Sequence, residues 1–464
     1  MNNKEEKNKN INISFGMEEI VSLCKRRGFV FQGSEIYGGL SGTYDYGPLG
    51  TLLKNNIKNS WLDKFVHGRD DMYLLDAAIL MNQKVWQATG HVDHFSDPLV
   101  ECKKCKSRFR FDTLDGVSVS GINFKIDPDA TCPKCGALIV GNMDEPSLFN
   151  MMFSTKVGAV DDSAATTYLR PETAQGIFVN FKNVVDSMNP KMPFGIAQIG
   201  KAFRNEITPR DFIFRLRELE QMEIEYFVKP GDWERYFEYW KDEMTEWMED
   251  IGLDMKKIHD EEIGEQDRAH YSSRTIDFEF EYPFGKKELY GLAYRGGYDL
   301  SKHAESSGQK LQYVDQSGES SDVFTPHVIE PSFGLDRTVL AILLSAYRED
   351  EMNDEKRVYL ALSPKVSPYV CAVSPLLKNK EELVMKAREV FRNMKDAFGR
   401  VVWDDNGNIG KRYRRQDEIG TPFCITIDFE SLEDGSVTLR DRDTGEQERV
   451  KIEDLEETIN SKIK

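Results

Sequence analysis

Three short segments carry arginine and acidic side chains at spacings that suit nucleotide chemistry: 203–206, 215–223 and 333–337. Arg204 and Glu206 are two residues apart, so on a strand both would point to one face. Arginine offers a planar fork of donors that fits phosphate and carboxylate groups alike. A lone Arg-x-Glu pair is more often a surface salt bridge, but the three segments together indicate a site for an anionic nucleotide.

In this order and at this spacing the segments resemble two motifs of class II aminoacyl-tRNA synthetases. The first two segments resemble motif 2, and the third resembles motif 3. The resemblance implies adenylation, in which a carboxylate is joined to the α-phosphate of ATP and pyrophosphate leaves. Negative charge builds on the phosphoryl oxygens, so the site needs fixed cations and Mg²⁺. We expect three catalytic residues: Arg204 on the phosphate, Glu206 on the adenine amino group and Arg337 stacked against the base.

Further segments narrow the resemblance to one family, the homodimeric glycyl-tRNA synthetases. They are 44–50, 90–95, 168–178, 198–210, 221–227 and 330–332, and the likeness covers about residues 16–460. It implies a glycine–tRNA ligase that uses ATP, glycine and tRNA(Gly), works as a homodimer and is cytoplasmic. Two rival hypotheses are a paralogue that charges another acceptor and a zinc-ribbon RNA-binding protein with an inactive core.

The same resemblance implies two overlapping sets of site residues. Glycine is expected on Arg110, Glu172, Leu219, Glu220, Gln221, Met222, Glu223, Glu330 and Ser332. ATP is expected on Arg204, Asn205, Glu206, Phe214, Arg215, Leu216, Arg217, Glu218, Leu219, Glu288, Leu289, Gly334, Leu335, Asp336 and Arg337. Carboxylates suit the ammonium of glycine, and any wall where a Cβ would stand excludes larger amino acids. Because no smaller amino acid exists, size alone demands no editing site.

Two positions depart from the family pattern. Leu219 stands where the pattern has a phenylalanine under the adenine, which removes an aromatic contribution of about 0.5–1.5 kcal/mol. The segment 76–82 lacks the proline that usually ends motif 1.

Four of the seven cysteines form two Cys-x-x-Cys pairs: Cys102, Cys105, Cys132 and Cys135. Each pair can form a knuckle that presents two thiolates to one tetrahedral ion. Four thiolates leave no open position, so the sequence predicts a structural Zn²⁺. The alternatives are four free thiols or a site that has lost its metal.

The composition is that of a soluble globular protein, with 40% hydrophobic and 30% charged residues. No apolar run reaches the roughly 18 residues that a membrane helix needs, and the N-terminus lacks the apolar core of a secretory signal. The net charge of −18 argues against a general nucleic-acid coat. From Glu355 onward the charges nearly balance, and the basic run 411–415 could face RNA or be a solvated loop.

The family resemblance implies an α+β protein: an antiparallel-sheet class II catalytic domain, here with a zinc-ribbon insert, followed by an α/β anticodon-binding domain. The expected bounds are a disordered tail over 1–15, the catalytic domain over 16–354 with a zinc-binding insert over 96–145 and a helical insert over 230–275, and the anticodon-binding domain over 355–464.

Periodicity predicts local elements as well. Helices are expected over 17–27 closed by Gly28, over 49–65, and over 230–252 with Asp232 as N-cap. The C-terminal domain is expected to begin near 353–357 and to hold strands at 358–362, 401–403 and 423–427 and helices at 380–398 and near Arg412.

Overall fold

The helices and strands of the chain are defined in a computed structural model that describes residues 16–120, 123–158, 166–269, 271–315, 321–352 and 355–463. The predicted tail over 1–15 and two residues of the predicted boundary, Asn353 and Asp354, lie outside that range. None of the helices in the described residues has the length and apolar character needed to cross a lipid bilayer.

The helices are α1 (Met17–Arg27), α2 (Pro48–Leu62), α3 (Gln83–Ala88), α4 (His91–His94), α5 (Ile139–Asn142), α6 (Ala174–Met188), α7 (Trp233–Asp250), α8 (Tyr298–Ser307), α9 (Leu335–Ala346), α10 (Glu381–Phe398), α11 (Ile409–Glu418), α12 (Phe429–Asp434) and α13 (Leu455–Lys462). The strands are β1 (Val30–Gln32), β2 (Tyr44–Tyr46), β3 (Met72–Leu74), β4 (Leu80–Met81), β5 (Ser96–Glu101), β6 (Arg108–Arg110), β7 (Val117–Ser120), β8 (Asn123–Ile126), β9 (Ser147–Asn150), β10 (Ser154–Lys156), β11 (Thr166–Leu169), β12 (Phe194–Phe203), β13 (Glu218–Val228), β14 (Ile258–Glu262), β15 (Arg274–Tyr282), β16 (Gly285–Gly296), β17 (Tyr313–Asp315), β18 (Asp322–Phe324), β19 (His327–Gly334), β20 (Tyr347–Met352), β21 (Glu355–Leu360), β22 (Cys371–Pro375), β23 (Val401–Trp403), β24 (Phe423–Ile427), β25 (Ser436–Asp441) and β26 (Gln447–Lys451).

A seven-stranded sheet in the order β14-β15-β16-β19-β13-β12-β3 forms the centre of the larger domain. Its pairs are antiparallel except for the parallel pair of β12 and β3. This confirms the predicted antiparallel sheet. Helices α2, α7 and α9 supply apolar side chains to its main core, in which Trp61, Phe65, Trp240, Trp247 and Phe333 are all buried.

The N-terminal helix α1 matches its predicted bounds. Gly28 follows it with a φ of 75°, a left-handed conformation that favours glycine, and its N–H caps the carbonyl of Cys24. The helix predicted over 49–65 is α2, and it continues as a π turn over Asp63–His67.

The helix predicted over 230–252 is a 3₁₀ turn over Pro230–Asp232 followed by α7. The predicted N-cap at Asp232 is wrong in one respect, because its side chain accepts no capping hydrogen bond. The prediction that the insert over 230–275 is helical is also wrong for its second half. There β14 pairs with β15 at the edge of the main sheet.

The insert that carries the four paired cysteines has its own small core. The antiparallel order β6-β5-β9 forms a three-stranded sheet, with β7 and β8 paired beside it. Phe111, Leu114 and Ile139 are buried there together with Cys102 and Cys132.

The C-terminal domain has a five-stranded sheet in the order β23-β22-β24-β25-β26, whose first three strands are parallel. The α/β prediction is therefore confirmed. The predicted boundary over 353–357 is displaced, because β20 and β21 pair antiparallel across it. The C-terminal sheet begins later, at Cys371.

The basic run 411–415 lies on α11, which agrees with the helix predicted near Arg412 and excludes the alternative of a solvated loop. Arg412 is only 2% exposed and donates to the carbonyls of Gly407 and Pro375. Arg414 forms an ion pair with Glu355, and Arg415 pairs with Asp404. Arg412 is therefore withdrawn from the surface, whereas the Arg414 side chain stays 47% exposed beside Glu355.

Candidate active site

The predicted site residues converge on a cleft of about 340 Å³ beside β13, β16 and β19. Alternation along β13 explains the arrangement, because every second side chain of a strand points to one face. Leu219, Gln221 and Glu223 line the cleft, whereas Met222 points into the core and is fully buried. The expectation that Met222 binds glycine is therefore wrong.

Cross-strand pairing brings the predicted glycine-binding acids together. Glu223 lies opposite Ser332 on β19, whose hydroxyl donates to Glu223 Oε1 at 3.0 Å. Gln221 also donates to that oxygen, at 2.8 Å, and the amide of Thr173 donates to Oε2 at 3.1 Å. Burial, helped by nearby Glu172, still raises the pKa of Glu223.

Glu172 and Glu330 complete this acidic end of the cleft. Although burial opposes it, His91 at 3.4 Å and the nearby Arg295 hold the pKa of Glu172 below its ordinary value. Arg295 donates to Glu330 at 2.7 Å, yet burial and the neighbouring Glu223 raise the pKa of Glu330 to about 8. The two acids therefore differ in charge at neutral pH.

Sequence reasoning missed Arg295, which is 2% exposed and bonds Asp299 through two nitrogens, at 2.8 and 2.9 Å. It also missed Gln175, which donates to Glu172 at 3.0 Å and to Asp299 at 2.9 Å. A usable signal was present, because Arg295 follows an apolar run over 289–294 within one strand. A charge in such a run is expected to be paired.

A second group of lining residues, called the arginine end below, is rich in arginine. It comprises Arg204, Arg215 and Arg337 together with Glu206 and Phe214. Arg215 lies 3.3 Å from the Glu206 carboxylate, and Arg337 stands over the Phe214 ring at 4.4 Å from its centroid. Fixed cations beside aromatic and carboxylate groups are what a nucleoside triphosphate requires.

Arg204 differs from its expected setting, because β12 ends at Phe203 and Arg204 begins the loop. Its Nε donates to the carbonyl of Pro171 at 3.1 Å, and its guanidinium lies 5.6 Å from the centre of the Phe95 ring. Its backbone N–H still bonds the carbonyl of Arg217, so the loop continues the strand pairing and brings Arg204 to the cleft.

Other predicted residues are also at the cleft, namely Leu216, Glu220, Glu288, Leu289, Gly334 and Asp336. Glu288 accepts from Arg337 at 2.9 Å, and Arg337 holds the pKa of Glu288 below its ordinary value. Asp277 faces the cleft beside it, and burial together with Glu288 raises the Asp277 pKa to about 7. A Cβ added at Gly291 would stand 3.9 Å from an oxygen of each carboxylate.

Four predicted ATP-binding residues lie outside the cleft lining: Asn205, Arg217, Glu218 and Leu335. Arg217 donates to the carbonyls of Glu206 and Ser41, Glu218 pairs with Lys201 on the neighbouring strand, and Leu335 is buried in the core. The side chains of Arg217, Glu218 and Leu335 therefore serve the loop and the fold rather than the cleft, and the backbone N–H of Asn205 bonds the carbonyl of Met151.

Arg110 is also outside the cleft, contrary to its expected place among the glycine-binding residues. It pairs with Asp97 at 3.1 Å and with Asp112 at 2.7 Å, within the cysteine-bearing insert. The arginine at the acidic end of the cleft is Arg295 instead.

The four paired cysteines meet at one point, with all four sulfurs within 4.8 Å of one another. The Sγ atoms of Cys102 and Cys135 are 3.7 Å apart, and those of Cys105 and Cys132 are 3.8 Å apart. These distances are far longer than a disulfide bond of about 2.05 Å. The arrangement is one that a tetrahedral metal ion can occupy.

Two family models match the chain. Residues 153–346 match the class II tRNA synthetase core domain described for G, H, P, S and T, and residues 370–462 match an anticodon binding domain.

Curated relatives are similar over almost the whole length. The glycine–tRNA ligase of Geobacillus thermodenitrificans is 50% identical over 463 residues, which are 96% of this chain and 97% of that protein. The glycine–tRNA ligase of Clostridium acetobutylicum is 49% identical over 465 residues, or 97% and 99% of the two chains. That of Clostridium perfringens is 49% identical over 468 residues, covering 96% and 98%.

Proposed function

Because the chain belongs to the glycine–tRNA ligases of the class II aminoacyl-tRNA synthetases, we propose that its cleft holds glycine at the acidic end and ATP at the arginine end. The activity is the ATP-dependent joining of glycine to tRNA(Gly), with the C-terminal domain binding tRNA. The assignment of glycine to one end and ATP to the other rests on one observation: three buried acids and three arginines line the same cleft.

In the first step the ammonium of glycine binds the carboxylates of Glu172, Glu223 and Glu330. Ser332 keeps Glu223 oriented through their 3.0 Å hydrogen bond. A carboxylate oxygen of glycine then attacks the α-phosphorus of ATP. A new P–O bond forms, the bond to the bridging oxygen breaks, and pyrophosphate leaves with the electron pair. Arg204 stabilises the charge that builds on the α-phosphoryl oxygens.

The adenine would lie between Arg337 and Leu219, with Glu206 accepting from its amino group. Arg215 keeps Glu206 in place and adds positive charge near the phosphates. Mg²⁺ takes oxygen ligands, and the carboxylates of Asp277 and Glu288 are the residues that would hold it. Once bound, the ion would neutralise part of the phosphate charge.

We further propose that Cys102, Cys105, Cys132 and Cys135 hold a structural Zn²⁺. Two thiolates at about 2.3 Å from a tetrahedral zinc ion lie about 3.8 Å apart. The observed sulfur separations of 3.7 and 3.8 Å agree with that value. The ion would stabilise the folded insert, because the insert's own hydrophobic core is small.

A homodimer and a cytoplasmic location are likewise proposed. Exposed side chains between β1 and β2 support an interface between copies, since Ile36 and Tyr37 are 88% and 87% exposed. Light scattering of the purified protein at several concentrations tests the dimer, and a mass of one chain throughout would contradict it.

The function as a whole is tested by pyrophosphate exchange with each of the twenty amino acids. Glycine alone should support rapid exchange. Exchange with alanine or serine at comparable efficiency would contradict the assignment of the acidic end to glycine.

A further inference from the structure

Glu225 is a buried acid that the proposed reaction does not use. It follows Glu223 by two residues on β13, is 0% exposed and lies outside the residues that line the cleft. Within the described part of the chain neither of its carboxylate oxygens has a hydrogen-bond partner. An ionised carboxylate in that setting would be strongly unfavourable, so Glu225 is held as a neutral acid.

The acids around Glu225 compete for a single buried guanidinium, that of Arg295. The charged groups that face Glu225 are Glu330 on β19, Arg295 on β16, Glu223 on its own strand and Asp299 on α8. The same Arg295 faces Glu330, together with Glu223, Glu172 and Asp299.

Hydrogen bonds are shared unequally within this group. Among the described residues, Glu223 accepts from Thr173, Gln221 and Ser332, whereas Glu330 accepts one bond, from Arg295. Arg295 also gives two bonds to Asp299. After Glu225, the acid with the least support for a negative charge is therefore Glu330.

We propose that Glu330 carries a proton in the absence of glycine and releases it to solvent when the glycine ammonium binds. This inference rests on the proposed glycine site. The O–H bond of the carboxyl group breaks, the proton passes to the buffer, and an N–H of the ammonium takes its place as donor. One positive charge leaves and one arrives, so the total charge of the cluster is unchanged and Glu225 stays neutral throughout.

The exchange has a consequence for the pH dependence of binding. Burial and the neighbouring Glu223 raise the pKa of Glu330 to about 8, so below that pH the proton must first be lost. Glycine affinity should therefore fall as the pH drops, approaching about tenfold per pH unit well below pH 8, and should level off above it.

Titration calorimetry tests the exchange on the full chain, with a non-reactive ATP analogue at saturation. Glycine binding is measured in two buffers of different ionisation enthalpy, at pH 7 and again at higher pH. We expect release of close to one proton per site at pH 7 and progressively less toward pH 9. Binding without proton release overturns the inference alone, whereas no glycine binding overturns the proposed site as well.

Two matched variants test whether the released proton comes from Glu330. Glu330→Gln cannot ionise, so its remaining glycine binding should release no proton. Glu225→Gln replaces a neutral acid by a neutral amide, so its proton release should equal that of the native chain. Release that persists in Glu330→Gln, or that is lost in Glu225→Gln, overturns the assignment to Glu330. Should a variant fail to fold, the pH course of proton release by the native chain decides, and release that does not decline through about pH 8 overturns the assignment to Glu330.

Discussion

Asp336 links the segment 333–337 to the segment 215–223, because its Oδ2 accepts a 2.7 Å hydrogen bond from the backbone N–H of Glu220. Its other oxygen accepts from Lys54 at 3.0 Å and from the hydroxyl of Tyr46 at 2.6 Å. Lys54 also pairs with Glu220 at 2.9 Å. The residue next to Arg337 is thus fixed to the first part of β13 and to the N-terminal segment.

Replacing Lys54 by methionine should destabilise the protein, because it leaves the buried Asp336 carboxylate without its cation and leaves Glu220 with Lys58 alone. Removal of one partner from a buried ion pair costs about 3–5 kcal/mol. Urea unfolding measures the loss, and a raised KM for ATP would show that Arg337 has moved.

Lys58→Met is the matched control for this prediction. Lys58 also pairs with Glu220, at 3.3 Å, but its side chain is 26% exposed. Its loss should cost about 1 kcal/mol or less, as for partly exposed pairs. Equal effects of the two substitutions would show that burial of the Lys54 cluster is not what matters.

Arg204→Ala should lower the kcat of glycine-dependent pyrophosphate exchange by about 10²–10³, the loss expected when one donor to a developing anion is removed. Arg210→Ala is the control, since Arg210 lies outside the cleft and pairs with Asp211. A folded Arg204→Ala variant with near-native exchange would show that Arg204 does not act on the phosphate.

The purified chain should contain about one zinc per molecule, and Cys105→Ser should lose it, because three thiolates and a hydroxyl bind zinc less tightly. Elemental analysis measures the metal. Cys24→Ala is the control, since Cys24 is a buried residue of the main core and should leave zinc content unchanged. Absence of metal, with all four thiols of the folded native protein open to titration, would contradict the site.

The sequence could predict what depends on local pattern. Helical periodicity gave α1, α10 and most of α7, whereas Gln221 and Glu223 came from the family resemblance. The apolar run before Arg295 could mark it as a paired charge, with Asp299 four residues further on, but not its bond to Glu330, which lies on a strand distant in the sequence.

The same limit explains two misplaced arginines. Arg110 was expected at the glycine, but its position is set by Asp97 on the adjoining strand β5. Arg412 was expected on a basic surface, but its side chain turns inward to backbone carbonyls that no sequence pattern marks. Long-range pairing of this kind is decided by the tertiary fold rather than by spacing.

The C-terminal domain is proposed to read the tRNA(Gly) anticodon, and its exposed cations should then set the salt dependence of binding. Lys411→Glu and Arg414→Glu should each weaken tRNA binding and lower the slope of log affinity against log salt by about one unit, since each removes a phosphate contact. Pyrophosphate exchange should be unchanged, because both residues lie far along the chain from the cleft lining. Arg412→Ala should instead destabilise the domain, because it leaves buried carbonyls without a donor.

Lys386→Glu is the matched charge reversal for Lys411→Glu, since Lys386 lies on a different helix, α10, where it pairs with Glu389. If Lys386→Glu lowers charging of tRNA(Gly) and Lys411→Glu does not, then α11 is not the face that meets the RNA.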